Sequence, residues 1–261
     1  MPEAQRRIAK IYISAFLEAT VRGDRRYIPL FQDYRVIASW LPETIYKNRF
    51  QAASDRVVSN YEEDINPIAT TVLDGVEQAD NFEVWREQEL LLRSKSHLSQ
   101  ENSAVYLEWD RADIKADPSA KIARSYTINL PHVTRQNWQI DRDKYLAFDL
   151  ANATNEESRP LDFIVELIDS KGTMAALPLS QFAPIQYPLK IQISKLNWLE
   201  GLLWKPSELV LQTYQLLLAD FMKISSQFNP AQIETIRFRF DRAKAGAIVL
   251  DEVVFRTNKY D

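Results

Sequence analysis

Two histidines, His97 and His132, and no cysteine make up the whole stock of imidazole and thiol chemistry in this chain. Disulfides, thiolate metal sites and cysteine nucleophiles are therefore excluded together, which leaves the compartment open because a large secreted domain can also manage without bridges. A serine esterase needs a nucleophilic Ser on a sharp Gly-x-Ser-x-Gly turn, with an acid and a His. The five glycines, at 23, 75, 172, 201 and 246, form no such elbow. His97 lies in the polar run Ser96–Ser99 and His132 follows Pro131 at a strand end, so both read as structural or solvent-facing. Carboxylate pairs for glycoside cleavage meet in space from distant strands, so spacing does not identify them. Adjacent pairs such as Glu62/Glu63 and Glu156/Glu157 read as solvated turns. No EF-hand-like run is present, and any calcium would be held by the fold rather than by a motif.

The six tryptophans, at 40, 85, 109, 138, 198 and 204, offer a different chemistry. A flat aromatic face stacks on a sugar ring or on another apolar surface. Trp109 alternates with Val105 and Leu107 and reads as core. Trp138, in the polar stretch after Arg135, and Trp198 and Trp204, which bracket Leu199–Gly201, are the candidate ligand-binding residues. Packing at the end of a sandwich is the competing reading for all three.

These residues need a scaffold, and 261 residues with 46% hydrophobic and 26% charged content suffice for one large domain, or a domain with an appendage. The net charge of −4 is unevenly spread: residues 1–60 carry ten Lys/Arg against six Asp/Glu, and the remainder is acidic. A mostly acidic chain without a basic stripe argues against a nucleic-acid partner. The apolar stretches fall far short of the roughly 18–20 residues a membrane-spanning helix needs, so no membrane partner is expected. Near the start, Arg6 and Arg7 precede the apolar run Ile11–Leu17, but Lys10 and Glu18 leave only seven residues between charges. That is short for an export signal, and the localisation stays unknown.

Ile8, Ile11, Tyr12, Ala15, Phe16 and Ala19 recur at helical spacing, and Gly23 stops the pattern. A second helical piece is predicted from Pro29, suited to a first helical position, to the Leu41–Pro42 break. Both stripes need something to cover them: the later sheet, another chain or a further domain. Beyond Pro67 the periodicity turns to alternation. Strands are predicted at Glu83–Arg93, Ala104–Trp109, Ala123–Leu130, Tyr145–Leu150, Leu161–Ile168, Leu189–Leu196, Leu209–Leu218, Thr235–Asp241 and Ala247–Phe255. Ile236, Phe238 and Phe240 alternate with Arg237, Arg239 and Asp241, the mark of a sheet buried on one side. Asp169–Gly172 between two apolar runs predicts a hairpin turn. The expected fold is mainly β, an antiparallel jelly-roll sandwich over 61–261, preceded by a helical segment and connector over 1–60.

The opening Ile8–Thr20, with Tyr27–Arg35 and Trp40–Pro42, resembles the end of the catalytic domain in multidomain bacterial α/β-hydrolases, followed by a connector similar to Tyr46–Asp64. The remainder, with Ala147–Leu150, Leu161–Phe163, Leu177–Leu179 and the ending Ile236–Phe240 and Ile248–Phe255, is similar to the galactose-binding-like jelly rolls of carbohydrate-binding modules. No residue matches the hydrolase nucleophile or triad His, so the resemblance implies a non-catalytic tail. It also implies first and last strands lying side by side, where a structural calcium would be shared near Glu83 and Asp251.

The leading expectation is a non-catalytic module of a hydrolase-like protein that binds a polysaccharide or oligosaccharide or completes the enzyme's structure. An upstream hydrolase domain or another chain would then cover the helices. The alternatives are a stand-alone carbohydrate-active enzyme using a carboxylate pair, and a structural or protein-interaction domain.

Overall fold

The computed structural model describes residues 2–63, 66–92, 95–110, 124–132, 137–154, 160–190 and 207–257. The chain opens with α1 (Pro2–Thr20), a 3-10 turn at Arg25–Tyr27, α2 (Pro29–Gln32) and a second 3-10 segment at Tyr34–Trp40. The predicted continuous helix from Pro29 to Trp40 is thus broken at Asp33. Its carboxylate accepts the Arg35 backbone N–H at 2.9 Å, capping a new segment instead of continuing the old one. Ala15, Leu30 and Ile37 form a small core of this segment, flanked by Ile11, Tyr12, Tyr27 and Phe31.

Two antiparallel sheets follow. The first has the order β11 (Gln212–Leu217), β6 (Lys144–Asn152), β13 (Gly246–Thr257), β4 (Lys95–Trp109), β3 (Val84–Leu92). The first half of β13 pairs with β4, and its second half pairs with β1 (Arg56–Ser59). First and last strands are therefore neighbours, and the stretch before residue 61 contributes a strand to the sandwich. The second sheet has the order β2 (Val76–Asp80), β5 (Ser125–Asn129), β12 (Ile233–Arg239), β7 (Ile164–Asp169), β8 (Met174–Pro178). A short pair, β9 (Leu189–Lys190) and β10 (Ser207–Glu208), stands apart. The rest of the predicted strand Leu189–Leu196 lies outside the described residues. Helix α3 (Leu218–Ile224) continues directly from β11.

The inner faces meet in an aromatic core. Phe238 lies 5.2 Å from Phe148 and 5.8 Å from Phe163, both edge to face, while Trp109 lies 4.9 Å from Phe240. The alternation in β12 is as predicted, with Ile236, Phe238 and Phe240 buried. The β7–β8 turn is also as predicted: Gly172 has φ +77°, and the Asp169 carboxylate accepts the Lys171 and Thr173 N–H groups at 2.9 Å.

Strand β2 shows why one strand escapes pattern reading. Glu77 points into the sandwich and is 1% exposed, whereas Val76 faces outward. Its polarity is the inverse of the rule. Among the described residues, no helix is long and apolar enough to cross a membrane.

Candidate functional site

A cavity of about 300 Å³ opens where the turn after α2 lies against the end of the sandwich. That size is at the lower end for a small-ligand site. Its walls come from Gln32–Val36, Asn48, Tyr145, Phe182–Pro184 with Gln186, and Gln212–Gln215. Asp33 sets the first wall, because the cap that breaks the helix also turns Arg35 back onto it. Arg35 Nε and Nη2 bind the carboxylate at 2.6–2.9 Å, and Nη1 donates to the Phe182 carbonyl across the cavity. The second wall is fixed by β11, where the Thr213 N–H donates to the Asn48 carbonyl at 2.8 Å and the Phe50 N–H donates to Thr213 Oγ1 at 2.9 Å. Tyr214 stacks on Phe148 at 5.9 Å and its hydroxyl donates to the Pro184 carbonyl at 3.1 Å. Burial pushes that hydroxyl well above the ordinary tyrosine range. The cavity therefore combines tyrosine rings with five amide side chains, Gln32, Asn48, Gln186, Gln212 and Gln215, and one internally neutralised ion pair.

Behind Thr213 lies a buried cluster of charged side chains. Thr213, Asp149 and Asp251 sit directly opposite one another across β11, β6 and β13. Arg49 bridges the two carboxylates, Nε to Asp149 at 2.7 Å and Nη2 to Asp251 at 2.8 Å. Burial pushes Asp251 up to about 7, against the pull of its Asn102 hydrogen bond and the Arg49 charge. Burial likewise raises Asp149, opposed by its bonds to Thr213 and Arg49. A β-bulge after Asp251 places Glu252 at φ +50° and lets its N–H donate back to Asp251 Oδ1 at 2.7 Å. Lower on the same face Arg256 binds Asp55 at 2.6–3.0 Å and packs over the Phe50 ring. Residues 48–55 are thus strapped to the outside of the first sheet by two arginines that bind three carboxylates. Both carboxylates of the pair are 1% exposed beneath Arg49, which is no arrangement for attacking a glycosidic bond.

Glu83 and Asp251 are not brought together. The Glu83 backbone bonds Glu108, which lies opposite Ala247, four residues along β13 from Asp251. That is about 13 Å of strand. Glu83 accepts the Asp110 N–H at 3.1 Å, while Asp251 has Arg49 and Asn102 as partners. These two residues do not fit a shared calcium, and no cluster of three or more His, Asp or Glu side chains among the described residues is disposed to hold a metal.

Trp138 is half-buried, its ring centroid 6.2 Å from that of Phe255 in an edge-to-face contact, packed on the core and not among the residues that line the cavity. Trp109 is core, as expected, and His132 is exposed. His97 falls within β4, and Trp198, Trp204 and Glu156/Glu157 lie outside the described residues.

A second polar surface covers the outer face of the other sheet. Gln78, Thr127, Arg237 and Glu166 form one cross-strand row, with Asp80, Ser125 and Arg239 beside it. Glu166, 1% exposed, binds Arg239 at 2.5 Å and Arg237 at 3.5 Å. Among the described residues, the hollow on this face is lined by hydrogen-bonding groups and Met174, without an aromatic ring.

No family model and no curated protein matches the sequence. Among solved structures, the family 30 carbohydrate-binding module of a Clostridium thermocellum cellulosomal cellulase is 12% identical, with a TM-score of 0.39 over 79% of this chain and 94% of that one. The family 11 carbohydrate-binding module of another cellulosomal cellulase of Clostridium thermocellum is 11% identical, with a TM-score of 0.41 over 80% and 97%. An exo-β-agarase is 10% identical, with a TM-score of 0.42 over 78% of this chain and 25% of that one. Likeness at this level transfers neither a ligand nor a site, and the sandwich stands on its own strand pairing.

Proposed function

We propose that this chain is a non-catalytic carbohydrate-binding module whose ligand site is the cavity between the helical segment and the sandwich. The observation that carries the reading is the lining itself. Tyrosine rings offer apolar faces for a sugar ring, and side-chain amides offer both donors and acceptors for its hydroxyls. The carboxylate-pair enzyme is disfavoured by the burial of Asp149 and Asp251 under Arg49. Service to a hydrolase-like parent remains part of the proposal, tested by the size of the native polypeptide in an immunoblot: a band much larger than 30.3 kDa supports it and a band at 30.3 kDa opposes it.

Calorimetric titration with neutral mono- and disaccharides tests the site. Tyr34→Ala, which removes a cavity ring packed 5.3 Å from Tyr46, is expected to weaken binding about tenfold. Arg237→Ala, on the opposite sheet face, is expected to leave affinity unchanged. The reverse pattern would move the site to that face.

A further inference from the structure

Resting on that reading, we infer that the cavity selects neutral, hydroxyl-rich sugars over their uronic acids, and that Gln212 is the specificity-determining residue that reads a ligand hydroxyl. Among the described residues only two charged side chains line the cavity, and they occupy each other. Arg35 Nε and Nη2 bind both oxygens of Asp33, and its Nη1 is committed to the Phe182 carbonyl. A ligand carboxylate arriving there meets a guanidinium with its charge already compensated and a fixed carboxylate beside it, which disfavours the acid. A neutral hydroxyl, donor and acceptor at once, is instead complementary to the amides.

Gln212 adds a directional requirement. It is 8% exposed, and its carbonyl Oε1 has no hydrogen-bond partner among the described residues. Its neighbours on β11 are satisfied, Thr213 by Asp149 and Tyr214 by Pro184. A buried acceptor left without a donor destabilises the ligand-free protein, and a ligand O–H that reaches it recovers that loss on binding. Gln212 lines the cavity wall, but this acceptor is closed to solvent in the ligand-free fold, so pairing with a ligand hydroxyl requires its side-chain amide to turn toward the cavity.

The experiment titrates the whole chain with glucose, galactose and mannose, then with glucuronate and galacturonate, and repeats the series on Gln212→Met. Each uronate is expected to bind at least about tenfold more weakly than its neutral parent. Gln212→Met is expected to lose about tenfold in affinity while its thermal midpoint without ligand rises, because an apolar group replaces the stranded carbonyl. A uronate that binds as tightly as its parent, with Tyr34→Ala still impaired, overturns the selectivity and leaves the cavity reading standing. A Gln212→Met protein with unchanged affinity or a lower midpoint overturns the role of Gln212. Failure of every sugar to bind removes the cavity reading and this inference with it.

Discussion

Glu77→Gln is expected to raise the thermal midpoint markedly at pH 9, to change it little at pH 4, and to flatten the fall in stability between them. Glu77 is 1% exposed in the sandwich core, and the Tyr126 hydroxyl donates to its Oε2. Tyr126 in turn lies 3.0 Å from the Tyr61 hydroxyl, and Glu77 Oε1 has no partner among the described residues. Burial pushes this carboxyl up from 4.5 to about 8, with the Ser59 and Tyr126 hydroxyls pulling down and Glu87 adding to the rise. The folded state therefore keeps its proton over a range where the unfolded chain gives it up. Stability from this group is complete below about 4.5, is lost as pH rises through the folded value near 8, and stays lost above it. The full swing is on the order of 5 kcal/mol at about 1.4 kcal/mol per pH unit. Asp251, raised to about 7, tilts stability in the same direction, so the variant is expected to retain a shallower slope. Thermal unfolding at a series of pH values measures this, and an unaltered slope in Glu77→Gln would contradict the protonated buried acid.

Asp55→Ala is expected to cost about 3–5 kcal/mol of unfolding free energy, because it strands a buried guanidinium. The Arg256 and Asp55 side chains are 3% and 6% exposed. Arg256 makes three contacts to Asp55 and one at 2.9 Å to the Phe50 carbonyl, while its Nη1 has no partner among the described residues. The neighbouring carboxylates on this face, Asp149 and Asp251, are already engaged by Arg49. Adding Arg256→Met to Asp55→Ala is expected to recover a large part of the loss, since two apolar residues avoid the desolvation penalty. Because the same strap carries Asn48 to the cavity wall, the single variant should also bind sugar less tightly at temperatures where it remains folded. Urea denaturation monitored by tryptophan fluorescence gives the free energies. A loss below about 1 kcal/mol would show that the strap is not held by this pair.

The sandwich was legible where alternation was clean, as in Ile236–Asp241, and where a turn had a mechanism, as at Asp169–Gly172. It was hidden where the chain reverses the rule. In β2 the inward residue is Glu77 and the outward one Val76, so hydropathy alone points the wrong way. The stretch 29–40 carries a helical stripe, yet the Asp33 cap outcompetes continuation and produces the bend that builds one cavity wall. Trp138 sits among polar neighbours in sequence, but its ring edge is placed against Phe255. The cavity itself left almost no trace in the sequence, because its lining is drawn from five separated segments and its amides, from a helix, two loops and a strand, share no periodicity. Only the polar positions Thr213 and Gln215, two apart within the apolar run Leu209–Leu218, hinted that one side of β11 faces something other than core.

The most direct measurement is amide chemical-shift mapping of the ¹⁵N-labelled chain during titration with neutral saccharides. The account predicts saturable shifts concentrated at Tyr34, Arg35, Gln186, Gln212 and Gln215. Shifts concentrated at Gln78, Thr127 and Arg237, or no saturable shift with any saccharide, would contradict it.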